Sequence, residues 1–227
     1  MYHLTKVIYK YNLRQTIIMK IPLFKLLKGK LLRIAELQDW IIIELSKKFD
    51  FILHGGTAIW RVYGGKRFSS GIDIYHKNPE KVLNHFKTNN QIKTTKSRIT
   101  SSNVVYLRIK DTEEVELEAS PIFKRIIPVE KEFWLTDGSS MLIKTLSPED
   151  LVKEKIEAFI NRRKSRDLYD IYYLLDFCDR QIIKPYMRKL LPHLEKMPND
   201  FKRLNELVLV GKPPSFETIK EKVMKYA

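Results

Sequence analysis

The tetrapeptide Ser147-Pro148-Glu149-Asp150 separates two kinds of hydrophobic periodicity, and this break limits the possible folds more than any other feature of the chain. Serine at an N-cap accepts a hydrogen bond from the first helical amides. Proline suits the first turn, and acids there face the positive end of the helix dipole. Ahead of the break apolar and polar residues alternate. In the stretch 114–120, Val115, Leu117 and Ala119 alternate with Glu114, Glu116 and Glu118, which puts three carboxylates on one strand face. Behind it, Val152, Ile156, Phe159 and Ile160 recur at helical spacing, as do Leu168, Ile171, Leu175 and Cys178 after the basic run 162–166. The expected class is α+β: a mixed-sheet domain with N-terminal helices over residues 1–146, then a helical domain over 147–227.

The same reading places elements along the chain. A short strand or arm is expected at 7–11 and 17–19, with Met19 as an alternative start. One or two helices follow over 23–48, then a strand at 51–54 ended by a Gly55-Gly56 turn. Thr57 is expected to cap a helix running to Tyr63, which Gly64-Gly65 terminates. In a strand over 69–75, Ile72 and Ile74 face the core while Ser69, Gly71 and Asp73 share the other face. A helix over 79–88, a hairpin of strands 103–110 and 114–120, a strand at 140–146 and helices near 184–197, 199–208 and 215–226 complete the expectation.

Charge narrows the partners. The chain holds 42 Lys+Arg against 27 Asp+Glu, a net +15. The excess lies at the two ends: residues 6–33 carry eight basic residues and no acid, whereas the carboxylates gather in the middle. Acidic residues flanked by positive segments suit a metal site acting on a phosphate-rich ligand, although a lysine-rich solvated surface gives the same count. A single cysteine, Cys178, leaves no intrachain disulfide and no cysteine zinc site. Apolar runs such as 40–45 fall far short of the roughly 18 residues a membrane span needs. The N-terminal stretch mixes apolar residues with Lys and Arg instead of forming a leader-like block. The expectation is a cytoplasmic protein with no membrane partner.

Three segments fit one chemistry. A strand, then Gly55-Gly56, then a helix can cradle phosphates, because glycine lets backbone amides approach; an isolated Gly-Gly also makes a plain structural turn. Asp73 on a polar strand face and the Glu114/Glu116/Glu118 face can converge on Mg²⁺, which takes oxygen ligands and accepts water and phosphate for the rest. Arg67 and the basic run 162–166 are candidates for phosphate or RNA contact, and equally for a solvated loop. His54 reads as a packed strand-end residue, and Tyr169, Tyr172 and Tyr173 as core and its rim.

Together Leu53-His-Gly-Gly-Thr-Ala-Ile59, Tyr63-Gly-Gly-Lys-Arg-Phe-Ser69 and Ile72-Asp-Ile74 resemble the nucleotidyltransferase motif of the polymerase-beta-like superfamily. With Leu151-Val-Lys-Glu-Lys-Ile-Glu-Ala158 and Arg166-Asp-Leu-Tyr-Asp170, the chain looks like the AbiEii toxin family over about residues 51–175. The resemblance implies an NTP substrate, an RNA acceptor such as the tRNA 3′ end, an antitoxin partner and Mg²⁺. Position by position it implies that Gly55, Gly56, Thr57 and Ser69 hold the nucleotide phosphates and that Asp73 and Glu118 hold metal, with Glu116 as the fallback. It further implies that Lys155 binds the triphosphate and that Asp167, with Asp170 one turn on, orients or deprotonates the acceptor. Where that family has its first metal aspartate this chain has Gly71. The alternative is therefore a catalytically impaired protein that binds nucleotide or RNA without transfer.

Overall fold

The computed structural model describes residues 22–122 and 125–227, so the expected strand segments at 7–11 and 17–19 lie outside the described residues. The expected helices over 23–48 are two: α1 (Leu23–Leu26) and α2 (Gly29–Lys48). Then come β1 (Ile52–His54), α3 (Gly55–Arg61), β2 (Ile72–His76), α4 (Pro79–Thr88) and five strands: β3 (Lys93–Ile99), β4 (Val105–Lys110), β5 (Glu114–Pro121), β6 (Val129–Trp134) and β7 (Ser140–Thr145). The chain finishes with α5 (Pro148–Arg162), α6 (Ser165–Leu174), α7 (Arg180–Leu190), α8 (Leu204–Leu207) and α9 (Phe216–Tyr226).

The seven strands form one mixed sheet in the order β3-β4-β5-β2-β1-β7-β6. β2 runs parallel to β5 and antiparallel to β1, while β1 runs parallel to β7. The fold class is α+β, as the two periodicities require. Val115, Leu117 and Ala119 of β5 are buried, with α2 and α4 packed on this part of the sheet. The main apolar core runs from Leu27, just after α1, to Val223 on α9, so the helices after Ser147 share it with the sheet. Ser147 caps α5 as expected, its hydroxyl accepting from the Asp150 amide at 3.1 Å.

Several boundaries differ from expectation. Gly55 and Gly56 are not a turn ahead of the helix but its first residues, so Thr57 lies inside α3 and caps nothing. Its hydroxyl donates to the Gly71 carbonyl. The strand expected from Ser69 starts only at Ile72: Gln38 Nε2 donates to the carbonyls of Ser69 (2.9 Å) and Gly71 (3.3 Å), so side chains satisfy the backbone there. The first hairpin strand starts at Val105, because Asn103 has a left-handed φ of 57°. β3 and β6 were not anticipated. The helix expected over 184–197 begins earlier, at Arg180, and gives way to a 3₁₀ turn after Leu190; the one expected over 199–208 is a 3₁₀ turn followed by the short α8. Ile160 and Cys178 sit at the margin of the core, half-buried.

Candidate active site

Strand pairing brings the motif residues together. In register, His54 on β1 faces Asp73 on β2, and Asp73 faces Glu118 on β5. Asp73 and Glu118 therefore sit side by side on adjacent central strands, two positions beyond Gly71 and Glu116 respectively. The Asp73 carboxylate lies over Gly55, where an added Cβ would fall 2.0 Å from its Oδ2, and Gly55 has φ +70°. Only glycine fits there on both counts. At Gly56 a Cβ would fall 2.6 Å from Ser69 Oγ and 2.8 Å from Arg67 Nη2. The three separated motifs thus meet at the start of α3.

The helical half supplies two of the cations, Lys155 and Arg162. Lys155 Nζ on α5 lies 2.9 Å from Asp170 Oδ2 and 3.5 Å from Asp167 Oδ1, both on α6. Arg67 grips Asp170 through Nε and Nη2, each at 2.8 Å, and Arg162 grips Asp167 through Nε and Nη2, each at 2.7 Å. The result is one chain of ion pairs, Arg67–Asp170–Lys155–Asp167–Arg162. Burial raises the Asp170 carboxyl, but Arg67 and Lys155 outweigh it and hold it below the ordinary carboxylate value.

Two open lobes, of about 750 and 510 Å³, meet here and share Asp73, Glu118, Lys155 and Arg162. The larger is walled by His54, Gly55, Tyr75 and Glu154; the smaller by Gly56, Arg67, Ser69 and Gly71. Of the residues expected at the site, Gly55, Gly56, Arg67, Ser69, Asp73, Glu118 and Lys155 line it. Thr57 and Asp167 do not. Thr57 is buried with its hydroxyl on Gly71, and Asp167 is wholly buried with both oxygens held by Arg162. Glu116 is 70% exposed and paired with Arg108 at 2.6 Å, which leaves Glu118 as the carboxylate beside Asp73.

Among the described residues no three carboxylate, imidazole or thiolate groups gather as a metal site. Burial and the charge of Asp73 push the Glu118 carboxyl above its ordinary value. A close carboxylate pair of this kind fits one divalent cation, completed by water and phosphate. It lacks the third carboxylate that bridges two ions.

Three residues of the site, His54, Tyr75 and Glu154, escaped the sequence reading as functional groups, and a fourth, Arg162, was not singled out. His54 does pack, stacked on Tyr75 with centroids 4.0 Å apart, but it also lines the larger lobe. Its Nδ1 pairs with Glu154 at 3.1 Å, the Tyr75 hydroxyl donates to the same carboxylate at 2.7 Å, and its Nε2 is buried without a partner among the described residues. The period-two pattern that placed Asp73 also places Tyr75 on its face, and Glu154 precedes Lys155. Arg162 was seen only as one of a basic run.

Burial alone would lower the His54 imidazole, but Glu154, with Asp73 and Glu118, carries it above its ordinary value of 6.5. Burial raises Glu154, and His54 outweighs this, taking the carboxyl below its ordinary 4.5. The histidine contribution to stability is therefore full below pH about 6.5 and lost as pH rises through the raised value. The Glu154 contribution is present above about 4.5 and lost as pH falls through the lowered one. Thermal unfolding of wild type against His54→Gln should accordingly show the largest wild-type advantage in mildly acidic buffer, shrinking above neutrality. An advantage that grows with rising pH would contradict the pairing.

Comparison with known proteins gives the family and the fold. A family model described as the nucleotidyl transferase AbiEii toxin of type IV toxin–antitoxin systems matches residues 42–222. The fold superposes on JHP933 from Helicobacter pylori with a TM-score of 0.63 at 19% identity, covering 88% of this chain and 91% of that one. A second Helicobacter pylori structure, provisionally assigned as a nucleotidyltransferase, gives 0.62 at 18% identity over 88% of this chain and 94% of that one. At such identities the likeness is one of fold. No curated protein matches the chain. Among the described residues no helix is long and apolar enough to cross a membrane. The family match spans most of the chain and takes in every motif that converges on the cleft: the chain belongs to the AbiEii nucleotidyltransferase toxin family.

Proposed function

We propose that the protein transfers a nucleoside monophosphate from an NTP to a hydroxyl of RNA, the tRNA 3′ end being the foremost candidate, and releases pyrophosphate. The observation that carries this reading is the shared floor of the two lobes. Asp73, Glu118, Lys155 and Arg162 border both spaces, as a site joining a donor to an acceptor needs. The triphosphate runs along the Gly55-Gly56 start of α3 toward Lys155, a residue 7% exposed at the cleft floor. Arg67 and Ser69 close the wall over Gly56. Asp73 and Glu118 would hold Mg²⁺, which when bound polarises the phosphate under attack. Asp167 and Asp170 act through the cations: their carboxylates fix where Lys155, Arg67 and Arg162 stand. Asp167 is too enclosed to take a proton from an acceptor.

The net charge of +15 favours an RNA acceptor over a small or cationic one. The family implies a toxin working in the cytoplasm against a paired antitoxin. The second reading, nucleotide or RNA binding without transfer, rests on Gly71. Labelled tRNA titrated at several salt concentrations tests the acceptor: affinity should fall steeply as salt rises, because each phosphate contact releases counterions. α-Labelled NTPs incubated with total tRNA and Mg²⁺ test the reaction, with weak incorporation expected from the wild-type chain. A flat salt response, or no binding at low salt, removes RNA as the partner.

A further inference from the structure

Resting on the transfer reading above, we propose that Arg162 is a further catalytic residue, whose guanidinium binds the polyphosphate of the nucleotide and supplies positive charge that a second metal ion would otherwise provide.

Arg162 is the last residue of α5 and borders both lobes, opposite the Asp73–Glu118 pair. Two of its nitrogens are bound to Asp167, and its third, Nη1, makes no hydrogen bond to the described residues. Asp167 is 0% exposed while Arg162 remains 45% exposed, so a buried carboxylate anchors one edge of the guanidinium and leaves the rest toward the cleft. Such an edge is pre-oriented, and a planar guanidinium suits phosphate oxygens. The chain beyond it is braced as well: Arg163, in the left-handed conformation, donates to the carbonyls of His193 and Lys196.

Arg125 and Arg166 border one lobe each and not the shared floor, and two further cations of the cleft are committed elsewhere. Arg67 spends its three nitrogens on Asp170 and the Phe68 carbonyl, and Lys153 pairs with Asp150 at 2.9 Å. Arg162 is the arginine with donors in reserve at the shared floor. With Gly71 the carboxylate set fits one cation, so the developing negative charge lacks a counter-ion. In the transfer step the acceptor oxygen bonds to the α-phosphorus, and its proton passes to water. The α-phosphorus–oxygen bond to the β-phosphate breaks, and the electron pair departs with pyrophosphate. The free edge of Arg162 neutralises that departing charge.

Binding of inorganic pyrophosphate, of each of the four NTPs and of the matching nucleosides, measured calorimetrically with and without Mg²⁺, provides the test. Arg162→Gln should weaken pyrophosphate and NTP binding by about 10- to 100-fold while nucleoside affinity stays level. Arg162→Lys should recover part of the loss. Because Arg162→Gln leaves the buried Asp167 short of a partner, Arg162→Gln/Asp167→Asn serves as a second variant, lacking both charges. It should unfold near the wild-type temperature and still bind pyrophosphate weakly. Wild-type pyrophosphate affinity in both variants overturns the role of Arg162 and leaves the transfer reading standing. A wild-type protein that binds neither NTP nor pyrophosphate overturns both.

Discussion

Gly71→Asp should raise Mg²⁺-dependent transfer of labelled nucleotide onto tRNA by about two orders of magnitude or more over wild type. A bridging carboxylate that recruits a second cation contributes several kcal/mol to a developing phosphoryl charge, and each 1.4 kcal/mol is tenfold in rate. The backbone accepts the side chain. An added Cβ at 71 meets nothing closer than the Glu116 carbonyl at 3.4 Å, and φ there is not in the left-handed region. Position 71 lies two residues before Asp73, beside Glu116 as Asp73 lies beside Glu118, and it already lines the smaller lobe. Gly71→Asn, isosteric but uncharged, should gain little, and Gly71→Glu separates charge from reach. Strong wild-type transfer unmoved by Gly71→Asp would mean that another acid completes the site. Absence of transfer in both folded proteins would favour binding without chemistry.

The largest loss of stability is expected from Asp170→Ala. This carboxylate takes two of the three donor nitrogens of Arg67 and the ammonium of Lys155, and all three groups are buried. Removing it leaves two cations facing each other inside the protein, a change that costs about 3–5 kcal/mol. In a chain of this size that corresponds to a fall in Tm on the order of 10 °C. NTP binding should weaken in parallel, because Lys155 loses the 2.9 Å contact that fixes its direction. Urea unfolding with equal m-values for wild type and variant would show that the loss lies in the native state. A cost below 1 kcal/mol would mean that the network is not formed in solution.

Period-two and helical patterning were readable wherever a segment buries one face. β2, β5 and α5 present such faces, and their registers carry Asp73, Glu118 and Lys155 to one place. Edge strands gave no such signal. β3 reads Lys-Thr-Thr-Lys-Ser-Arg-Ile with no residue in the core, and in β6 only Phe133 is buried. Backbone pairing alone makes them strands, and composition does not report it. Local capping rules misplaced Thr57, because a hydroxyl that suits an N-cap also satisfies a carbonyl fourteen residues away. The motif resemblance drew attention to Asp167 and away from Arg162, since the spacing of the two along the chain does not say which of a bonded pair faces water. His54 and Glu154 are a hundred residues apart, and their pairing depends on how α5 crosses the sheet.

The ion-pair chain also has a consequence in time. Arg67 leaves the ribosome about a hundred residues before Asp170, and Lys155 before either of the aspartates that hold it. A nascent chain ending at residue 165 carries the glycine cradle and both central carboxylates, yet its three cleft cations have no fixed bearing. The shared floor of the two lobes is fixed only when α6 has been made and docked. Termination between residues 163 and 166 would therefore leave every residue of the shared floor in place and remove only the carboxylates that hold its cations.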